Sequence, residues 1–495
     1  MLCPTGIEGL DEVLNGGLPR HRFYLLEGDP GVGKTTLALQ FLLEGVQAGE
    51  KCLYITLSES KDEIEQVARS HGWSLESIHI VDLSALEKEM GAKKTNTLFH
   101  PSEVELHDTV EILKKYIDRI QPVRVVFDSL SELRLMAEMA LRYRRQLLAF
   151  KQFFTGKRCT VLLLNDNSHA DEGDAQVQSI AHGVIVLEKL ESHYGVERRR
   201  LRIEKLRGRE FRGGNHDYAI GHGGLRVFPR LVAANHGRAY LDKTLKSGVE
   251  ELDRVLGGGL DVGTSNLFMG PAGTSKTTLA LQYAFRVASN GGKVRFLTFD
   301  ETPRVMCKRA KNIGMDLAPF LDSGTLMLKK INPSEMPPGE FAHQIKTAVE
   351  SEKVELVVID SLNGYLAAMG DEHSLTLHLH ELLTYLGHQG VTSILTMTQA
   401  GLVGPMQSPA DITYLADTVV LLRFFEAGGA VKKALSVMKK RTDSHETTIR
   451  EFRVDSQGLR IGEPLHEFHG VLTGVPTFVG TVSQMMETRD ERRAS

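Results

Sequence analysis

The chain contains an internal duplication with an offset of 242 positions. The segment that starts at Thr5 reads Thr-Gly-Ile-Glu-Gly-Leu-Asp-Glu-Val-Leu, and the segment that starts at Ser247 reads Ser-Gly-Val-Glu-Glu-Leu-Asp-Arg-Val-Leu. A period this long indicates two whole domains rather than a stack of small repeated units. We therefore expect a first domain at 1–240 and a second at 241–480, followed by a short charged tail at 481–495 that is disordered.

Each repeat alternates short apolar runs with amphipathic stretches. Runs of this length, bounded by turn residues, are typical of buried strands, and the stretches between them have helical spacing. The alternation predicts an α/β fold in which a mainly parallel, twisted sheet is flanked by helices. The runs lie at 23–27, 52–57, 123–127 and 160–164 in the first repeat, and at 266–269, 294–299, 356–359 and 392–397 in the second.

The composition is that of a folded globular protein. The 495 residues are 41% hydrophobic and 25% charged, with a formal net charge of -4, which gives no general attraction to nucleic acid or anionic membranes. The four cysteines have no CxxC spacing, which argues against a zinc site and a disulfide framework. No apolar run approaches the roughly 18 residues that a membrane span needs. We therefore expect a cytoplasmic protein with neither a membrane nor a nucleic-acid partner.

A phosphate-binding loop follows the first apolar run of each repeat. Residues 28–36 read Gly-Asp-Pro-Gly-Val-Gly-Lys-Thr-Thr and match GxxxxGK[ST]. Between a strand and a helix, the glycines let backbone amides close on phosphates while the lysine reaches the β and γ groups. We therefore predict that ATP is bound by Gly28, Gly31, Val32, Gly33, Lys34, Thr35 and Thr36 in the first repeat, and by Gly270, Gly273, Thr274, Ser275, Lys276, Thr277 and Thr278 in the second.

The second loop departs from the motif at its last glycine. Residues 270–278 read Gly-Pro-Ala-Gly-Thr-Ser-Lys-Thr-Thr, so Ser275 stands where the motif has glycine. Serine is small, and the loop can form if the φ angle of Ser275 is negative. On that condition we expect a working site, the alternative being a degenerate loop that binds ATP without turning it over.

An aspartate ends a further strand at the same place in each repeat. Asp128 and Asp360 both follow an apolar run and precede a serine. We predict that they complete a Mg²⁺ shell with Thr35 and Thr277. An aspartate in this position is often only a helix cap, but its recurrence in both repeats favours the metal role.

Other carboxylates end the strand that follows each P-loop helix. They are Glu59 in the first repeat and the pair Asp300 and Glu301 in the second. A carboxylate at this position in RecA-like enzymes serves as the base that orients the attacking water. The segment 60–63 also has the sequence of a capping box, but that box does not use Glu59.

These features together resemble the KaiC family of duplicated RecA-like ATPases and autokinases over nearly the whole chain. The resemblance implies a homohexamer of two stacked rings with ATP at the subunit interfaces, where the first-half ring hydrolyses ATP and the second-half ring phosphorylates itself. It also implies a timing or signalling role with a KaiB-like partner, whereas the short tail gives little basis for docking a KaiA-like activator. Besides the P-loops, the resemblance rests on Phe299-Asp-Glu-Thr-Pro, Glu197-Arg-Arg-Arg-Leu, Lys205-Leu-Arg-Gly, Asp417-Thr-Val-Val-Leu-Leu and two Asp-Ser-Leu strand ends.

The resemblance also implies roles for residues outside the P-loops. Thr413 and Tyr414 would accept phosphate, with Ser408 as a third hydroxyl and Glu301 as the base that takes the proton. Thr413 is the stronger candidate because tyrosine is longer than the usual acceptors. Cations supplied to the neighbouring subunit's nucleotide would be Lys205, Arg207, Lys439 and Arg441. The alternatives are a solvated basic strand at 198–209 and a loop hydroxyl pair that carries no phosphate.

Two other classes of protein share the same core. A RecA-type DNA recombination or repair ATPase would hold single strands with basic and aromatic loop residues, but residues 399–409 contain no arginine, lysine or aromatic side chain. A nucleotide-sensing scaffold would bind ATP and assemble without appreciable turnover.

Overall fold

The computed structural model divides the chain into two compact units, Met1–Arg230 and Leu231–Ser495. The residues described are 1–83, 101–137, 139–166, 177–190, 195–233, 243–367, 372–401, 412–427, 429–466, 468–471 and 477–478. The domain bounds taken from the duplication, 1–240 and 241–480, stay a prediction.

The first unit is built on one large sheet of mixed direction. Its described strands are β1 (Leu2–Cys3), β2 (Leu18–Pro19), β3 (Phe23–Gly28), β4 (Cys52–Thr56), β5 (Ile78–Asp82), β6 (Arg124–Asp128), β7 (Thr160–Asp166), β8 (Gly183–Leu190), β9 (Arg198–Leu206), β10 (His216–Gly221) and β11 (Gly224–Phe228). The described helices are α1 (Glu8–Val13), α2 (Lys34–Gln47), α3 (Lys61–Ser70), α4 (Pro101–Ile120), α5 (Leu130–Ala137) and α6 (Ala140–Gly156). The sheet order is β11-β10-β9-β8-β3-β7-β6-β4-β5, with β1 and β2 forming a separate pair.

The second unit has the same kind of sheet. Its described strands are β12 (Thr244–Leu245), β13 (Leu260–Asp261), β14 (Ser265–Gly270), β15 (Lys293–Thr298), β16 (Leu326–Lys330), β17 (Val354–Asp360), β18 (Thr392–Thr398), β19 (Thr418–Ala427), β20 (Ala430–Lys440), β21 (Arg450–Asp455), β22 (Gly458–Pro464), β23 (Phe468–His469) and β24 (Thr477–Phe478). The described helices are α7 (Glu250–Val255), α8 (Lys276–Ser289), α9 (Pro303–Asn312), α10 (Ala318–Asp322), α11 (Pro338–Glu352), α12 (Leu362–Ala367) and α13 (Glu372–His388). The sheet order is β16-β15-β17-β18-β14-β19-β20-β21-β22. Read in reverse, it matches the first sheet strand for strand.

Both sheets have a parallel part that carries the P-loop strand and an antiparallel extension. The P-loop strand β3 pairs in parallel with β7 and β8, and the further strands β6, β4 and β5 are also parallel. Strands β8 to β11 are antiparallel. Apolar side chains cover both faces of the parallel part, which explains why these strands read as continuous apolar runs. The predicted fold, two tandem RecA-like P-loop domains with mainly parallel sheets, is therefore confirmed.

Helix α3 begins with the capping box that its sequence predicts. The Glu63 amide donates to the Ser60 hydroxyl, and the Glu63 carboxylate accepts from the Ser60 amide. No helix within the described ranges is long and apolar enough to span a membrane. The four cysteines are free thiols.

A buried arginine ties together the elements around the P-loop helix of the first unit. Arg124 begins β6 and is 0% exposed. Its guanidinium donates to Glu50 Oε2 at 2.6 Å and to the carbonyl oxygens of Pro4 and Phe41 at 2.7 and 2.8 Å. The N-terminal segment, helix α2 and strand β6 are thus held at one point.

We predict that Arg124→Leu lowers the free energy of unfolding of the first unit by about 3 kcal/mol, because the carbonyl oxygens of Pro4 and Phe41 lose their donor and Glu50 keeps only Arg20 as a partner. The exposed pair Lys157–Asp118 is the control, since Lys157→Ala should cost less than about 1 kcal/mol. Urea unfolding of both variants checks the difference, and equal losses would contradict it.

Candidate nucleotide sites

The predicted site residues of each unit lie along one edge of its sheet. Parallel strands end at the same edge, and this edge is where nucleotides bind in open α/β sheets. In the first unit, Gly28 at the end of β3 is paired with Asp166 at the end of β7. Asp128 at the end of β6 is beside Thr56 of β4. The corresponding edge of the second unit carries Gly270, Asp360 and Thr298.

The first P-loop wraps around the ammonium group of its own lysine. Lys34 is buried, and its Nζ donates to the carbonyl oxygens of Gly28 at 2.6 Å and Asp29 at 3.0 Å. Gly33 has a φ of 97°, and a Cβ atom built there would lie 2.4 Å from Ile220 Cδ1. Glycine is therefore favoured at this position by its backbone conformation, and a larger residue would also have to displace the end of the Ile220 side chain.

Asp166 forms an ion pair with Lys34 that the sequence reasoning missed. The distance from Asp166 Oδ1 to Lys34 Nζ is 2.6 Å. The signal available in the sequence is the polar pair that follows the apolar run at 160–164. That signal has meaning only once β7 is known to lie beside the P-loop strand, which local sequence does not specify.

In the second P-loop, the lysine makes the same two hydrogen bonds to loop carbonyl oxygens, but the residue that caps the following helix is Ser275 instead of a glycine. Lys276 Nζ donates to the carbonyl oxygens of Gly270 and Pro271 at 2.9 and 2.8 Å. Burial lowers the pKa of Lys276 to about 8, against the opposing effect of the Asp360 and Asp300 carboxylates. The loop is therefore formed around the lysine in this unit as well.

The condition placed on Ser275, a negative φ angle, is not met. Its φ is 74°, in the left-handed region, where a residue with a Cβ atom costs roughly 1–2 kcal/mol. The loop forms nevertheless, and the Ser275 hydroxyl accepts a hydrogen bond of 2.6 Å from Lys433 Nζ on β20. This bond offsets part of the backbone cost and explains how a serine is accommodated.

The predicted metal ligands come together in both units. Thr277 Oγ1 donates to Asp360 Oδ1 at 3.0 Å. In the first unit, Tyr54 donates to Asp128 Oδ2 at 2.5 Å, and the Thr35 side chain lies near the same phenol, where it opposes the rise in the pKa of Tyr54. Hydroxyl and carboxylate oxygens are the hard ligands that Mg²⁺ prefers.

Burial raises the pKa of Asp128 to about 6 and also raises the pKa of Asp360. A cation at either place would supply the missing counter-charge, so both ligand sets fit Mg²⁺. The described ranges contain no group of three or more His, Cys, Asp or Glu side chains arranged to hold a metal alone. A P-loop site does not need one, because the nucleotide phosphates contribute oxygen ligands.

The candidate bases occupy equivalent turns in the two units. The Glu59 amide donates to Thr56 Oγ1, and the Glu301 amide donates to Thr298 Oγ1. Burial, reinforced by the Glu63 and Asp166 charges, raises the pKa of Glu59. A basic carboxylate with a raised pKa is suited to proton transfer.

The two carboxylates of the second unit have different partners. Asp300 Oδ2 accepts a hydrogen bond of 2.7 Å from Ser361. Glu301 Oε1 is paired with Arg309 at 2.7 Å. Asp300 is therefore hydrogen-bonded to the serine that follows β17, whereas Glu301 is paired with an arginine of helix α9.

The cations expected to act on a neighbouring subunit contact backbone carbonyls of their own chain. Lys205 donates to Gln178 O at 2.7 Å and Arg207 to Ser179 O at 2.9 Å. In the second unit, the carbonyl oxygens that accept these bonds belong to the candidate phosphosites. Lys439 donates to Thr413 O at 3.0 Å, and Arg441 donates to Tyr414 O at 2.7 Å. Ser408 lies outside the described residues.

The basic strand β9 is extensively paired with acidic side chains. Arg200 lies 3.7 Å from Asp217, and Arg199 lies 3.0 Å from Glu197. Arg202 is paired with both Glu188 and Glu204. The strand therefore does not present a uniformly basic face.

The fold and these sites define a tandem P-loop ATPase with two nucleotide sites. A family model described as "ATPase: KaiC" matches residues 3–232 and again residues 245–466. The chain belongs to the KaiC family, and it is an ATP-binding member of that family.

Several relatives are similar over nearly the whole chain. The Circadian clock protein KaiC2 of Synechocystis sp. is 28% identical over 480 residues, which cover 95% of this chain and 83% of that protein. The Circadian clock oscillator protein KaiC of Acaryochloris marina is 27% identical, with 96% and 91% covered. The Circadian clock protein KaiC3 of Synechocystis sp. is 26% identical, with 96% and 94% covered.

The two P-loops should differ in their tolerance of an exchange between glycine and serine. Ser275→Gly loses one hydrogen bond but removes the left-handed cost, so the free energy of unfolding should change by less than about 1 kcal/mol. Gly33→Ser places a Cβ atom on a left-handed backbone and displaces the end of the Ile220 side chain, and we expect a loss of about 1–2 kcal/mol together with weaker ATP binding by the first unit. Thermal unfolding and equilibrium nucleotide binding check both variants, and a benign Gly33→Ser would contradict this account.

ATP affinity at the second site should fall about ten-fold between pH 7 and pH 9. The bound phosphates favour charged Lys276, whereas the free site loses that charge as the pH rises through about 8. The measurement is a binding titration in a Lys34→Ala background. Lys276→Arg is the control because guanidinium does not titrate in this range, and an equal fall in that variant would contradict the assignment.

Proposed function

We propose that this protein binds and hydrolyses Mg-ATP, phosphorylates itself, and acts as a timing or signalling hub. The relatives named as circadian clock proteins support the timing role. The proposed assembly is a homohexamer of two stacked rings, with a KaiB-like protein as partner. Hydrolysis is assigned to the first unit and self-phosphorylation to the second.

The observation that carries the autokinase proposal is the contact between the cations and the candidate acceptors. Lys439 and Arg441 hold the backbone at Thr413 and Tyr414, and Tyr414 is exposed. Cations that reach a neighbour's phosphates from this position would bring the hydroxyls of the same segment toward that nucleotide. Positioning of this kind accounts for much of phosphoryl-transfer catalysis.

Two carboxylates are candidates for the base in the second unit. Glu301 is supported by its equivalence to Glu59, but its ion pair with Arg309 must open first. Asp300 is supported by its influence on Lys276 and by its bond to Ser361. Variants that remove each charge separately discriminate between them.

The direct test is peptide mass spectrometry after incubation of the purified protein with Mg-ATP. We expect phosphate on Thr413, its loss in Thr413→Ala, and a reduction of about 100-fold or more in the rate for whichever of Glu301→Gln and Asp300→Asn removes the base. Tyr414→Phe is the matched control for the neighbouring hydroxyl.

Two outcomes would reject parts of this proposal. If ATP is consumed and no phosphate appears, the second unit is not an autokinase, and an ATPase with a conformational output replaces it. Tight, salt-sensitive binding of single-stranded DNA would favour the recombination class instead. Light scattering with and without ATP tests the hexamer separately.

A further inference from the structure

A buried phenol is hydrogen-bonded to the strand-end aspartate that is a proposed metal ligand of the first unit. Tyr54 lies on β4 and is 0% exposed. Its hydroxyl donates to Asp128 Oδ2 at 2.5 Å, and the Thr35 side chain lies near the same phenol. Tyr54 is therefore bonded to the carboxylate that would hold Mg²⁺ and lies near the threonine that would also do so.

In the second unit, the strand-end aspartate is hydrogen-bonded to a side chain of the neighbouring strand on its other side. Phe296 stands in the place of Tyr54 and has no hydroxyl, since Phe296 pairs with Val358 as Tyr54 pairs with Val126. Asp360 instead accepts a hydrogen bond of 2.5 Å from Thr396 on β18.

The counterpart of Thr396 in the first unit is apolar. Thr396 is opposite Phe268 of the P-loop strand, and the residue opposite Leu26 in the first unit is Leu164. In each unit, one of the two strands beside the aspartate strand supplies a hydroxyl, and the other strand supplies an apolar side chain. The first unit combines Tyr54 with Leu164, and the second combines Phe296 with Thr396.

The strand register explains the choice of side chain. The pairing of Ile359 with Leu395 places Asp360 directly beside Thr396 on the adjacent strand, about 4.8 Å away, so a short side chain reaches it. Tyr54 precedes by two residues the position that is beside Asp128. A longer side chain is needed to span that diagonal, and tyrosine provides it.

We propose that Tyr54 in the first unit and Thr396 in the second are positioning residues for the Mg²⁺ ligands, each fixing the strand-end aspartate with a neutral hydroxyl. This inference rests on the proposed Mg-ATP function. A buried carboxylate needs hydrogen-bond partners, and a neutral hydroxyl supplies one without adding charge. Partners of this kind, bonded to a metal ligand, orient it and raise the affinity for the metal.

The two sites can be examined separately by disabling the other P-loop. Lys276→Ala leaves only the first site to be read, and Lys34→Ala leaves only the second. In each background, binding of a fluorescent ATP analogue is measured in EDTA and then over a Mg²⁺ titration. The Mg²⁺ concentration at half-effect is the readout, and it does not depend on turnover.

We expect Tyr54→Phe to raise the half-effect concentration of Mg²⁺ about ten-fold at the first site, and Thr396→Val to do the same at the second. Phe296→Tyr in the second site is the matched control and should leave that concentration unchanged, because Asp360 already has its hydroxyl. The double variant Tyr54→Phe/Leu164→Thr should restore the first site by giving it the arrangement of the second.

Failure of the inference is distinguishable from failure of the proposed function. If the Lys276→Ala parent binds no nucleotide, or binds it without any effect of Mg²⁺, the proposed function of the first site is wrong. If that parent responds to Mg²⁺ and Tyr54→Phe responds at the same concentration, the positioning role of Tyr54 is overturned. Thermal unfolding monitors the fold of every variant, and Thr396→Val gives an independent test in the other unit should Tyr54→Phe not fold.

Discussion

A buried ammonium group is the constraint around which each nucleotide site is organised. Lys34 and Lys276 are both buried, and a buried charge is costly unless carbonyl dipoles or carboxylates surround it. Each P-loop supplies two of its own carbonyl oxygens for this purpose. The parallel register then brings the strand-end carboxylates to the same edge of the sheet, where they balance the remaining charge. The positions of the candidate metal ligands and bases follow from that edge.

The buried lysine is stabilised differently in the two units before nucleotide binds. In the first unit, Lys34 is neutralised by Asp166 at the end of the adjacent strand. The corresponding position of the second unit is Thr398, and there the pKa of Lys276 is lowered instead. Incoming phosphates must therefore displace Asp166 from Lys34 in the first unit. In the second unit they must keep Lys276 protonated. The duplication has kept the geometry of the site while changing the electrostatic work of filling it.

The fold and the P-loops could be predicted from sequence because their signals are local or repeated. Apolar runs specify strands, and GxxxxGK[ST] specifies a loop whose glycines have defined backbone roles. The conformation of Ser275 could not be predicted, since the side chain that holds it, Lys433, is 158 positions away in the chain. Asp166 and Tyr54 were missed for a related reason. Tyr54 lies within a run that reads as an ordinary buried strand, and Asp166 directly follows another such run, so the contacts of both depend on which strands become neighbours.

The proposed difference between the units can reside in side chains carried on one shared backbone arrangement. Lys205 and Lys439 make equivalent bonds to the carbonyl oxygens of Gln178 and Thr413. Arg207 and Arg441 donate to the carbonyl oxygens of the next residues, Ser179 and Tyr414. The scaffold that would deliver cations to a neighbour is therefore present in both halves. On the proposed function, a threonine hydroxyl at this place makes the segment an acceptor of phosphate, whereas the glutamine amide at the equivalent place cannot accept it. The proposed separation between a unit that hydrolyses ATP and one that phosphorylates itself therefore depends partly on this segment, where Gln178 and Ser179 stand in place of Thr413 and Tyr414.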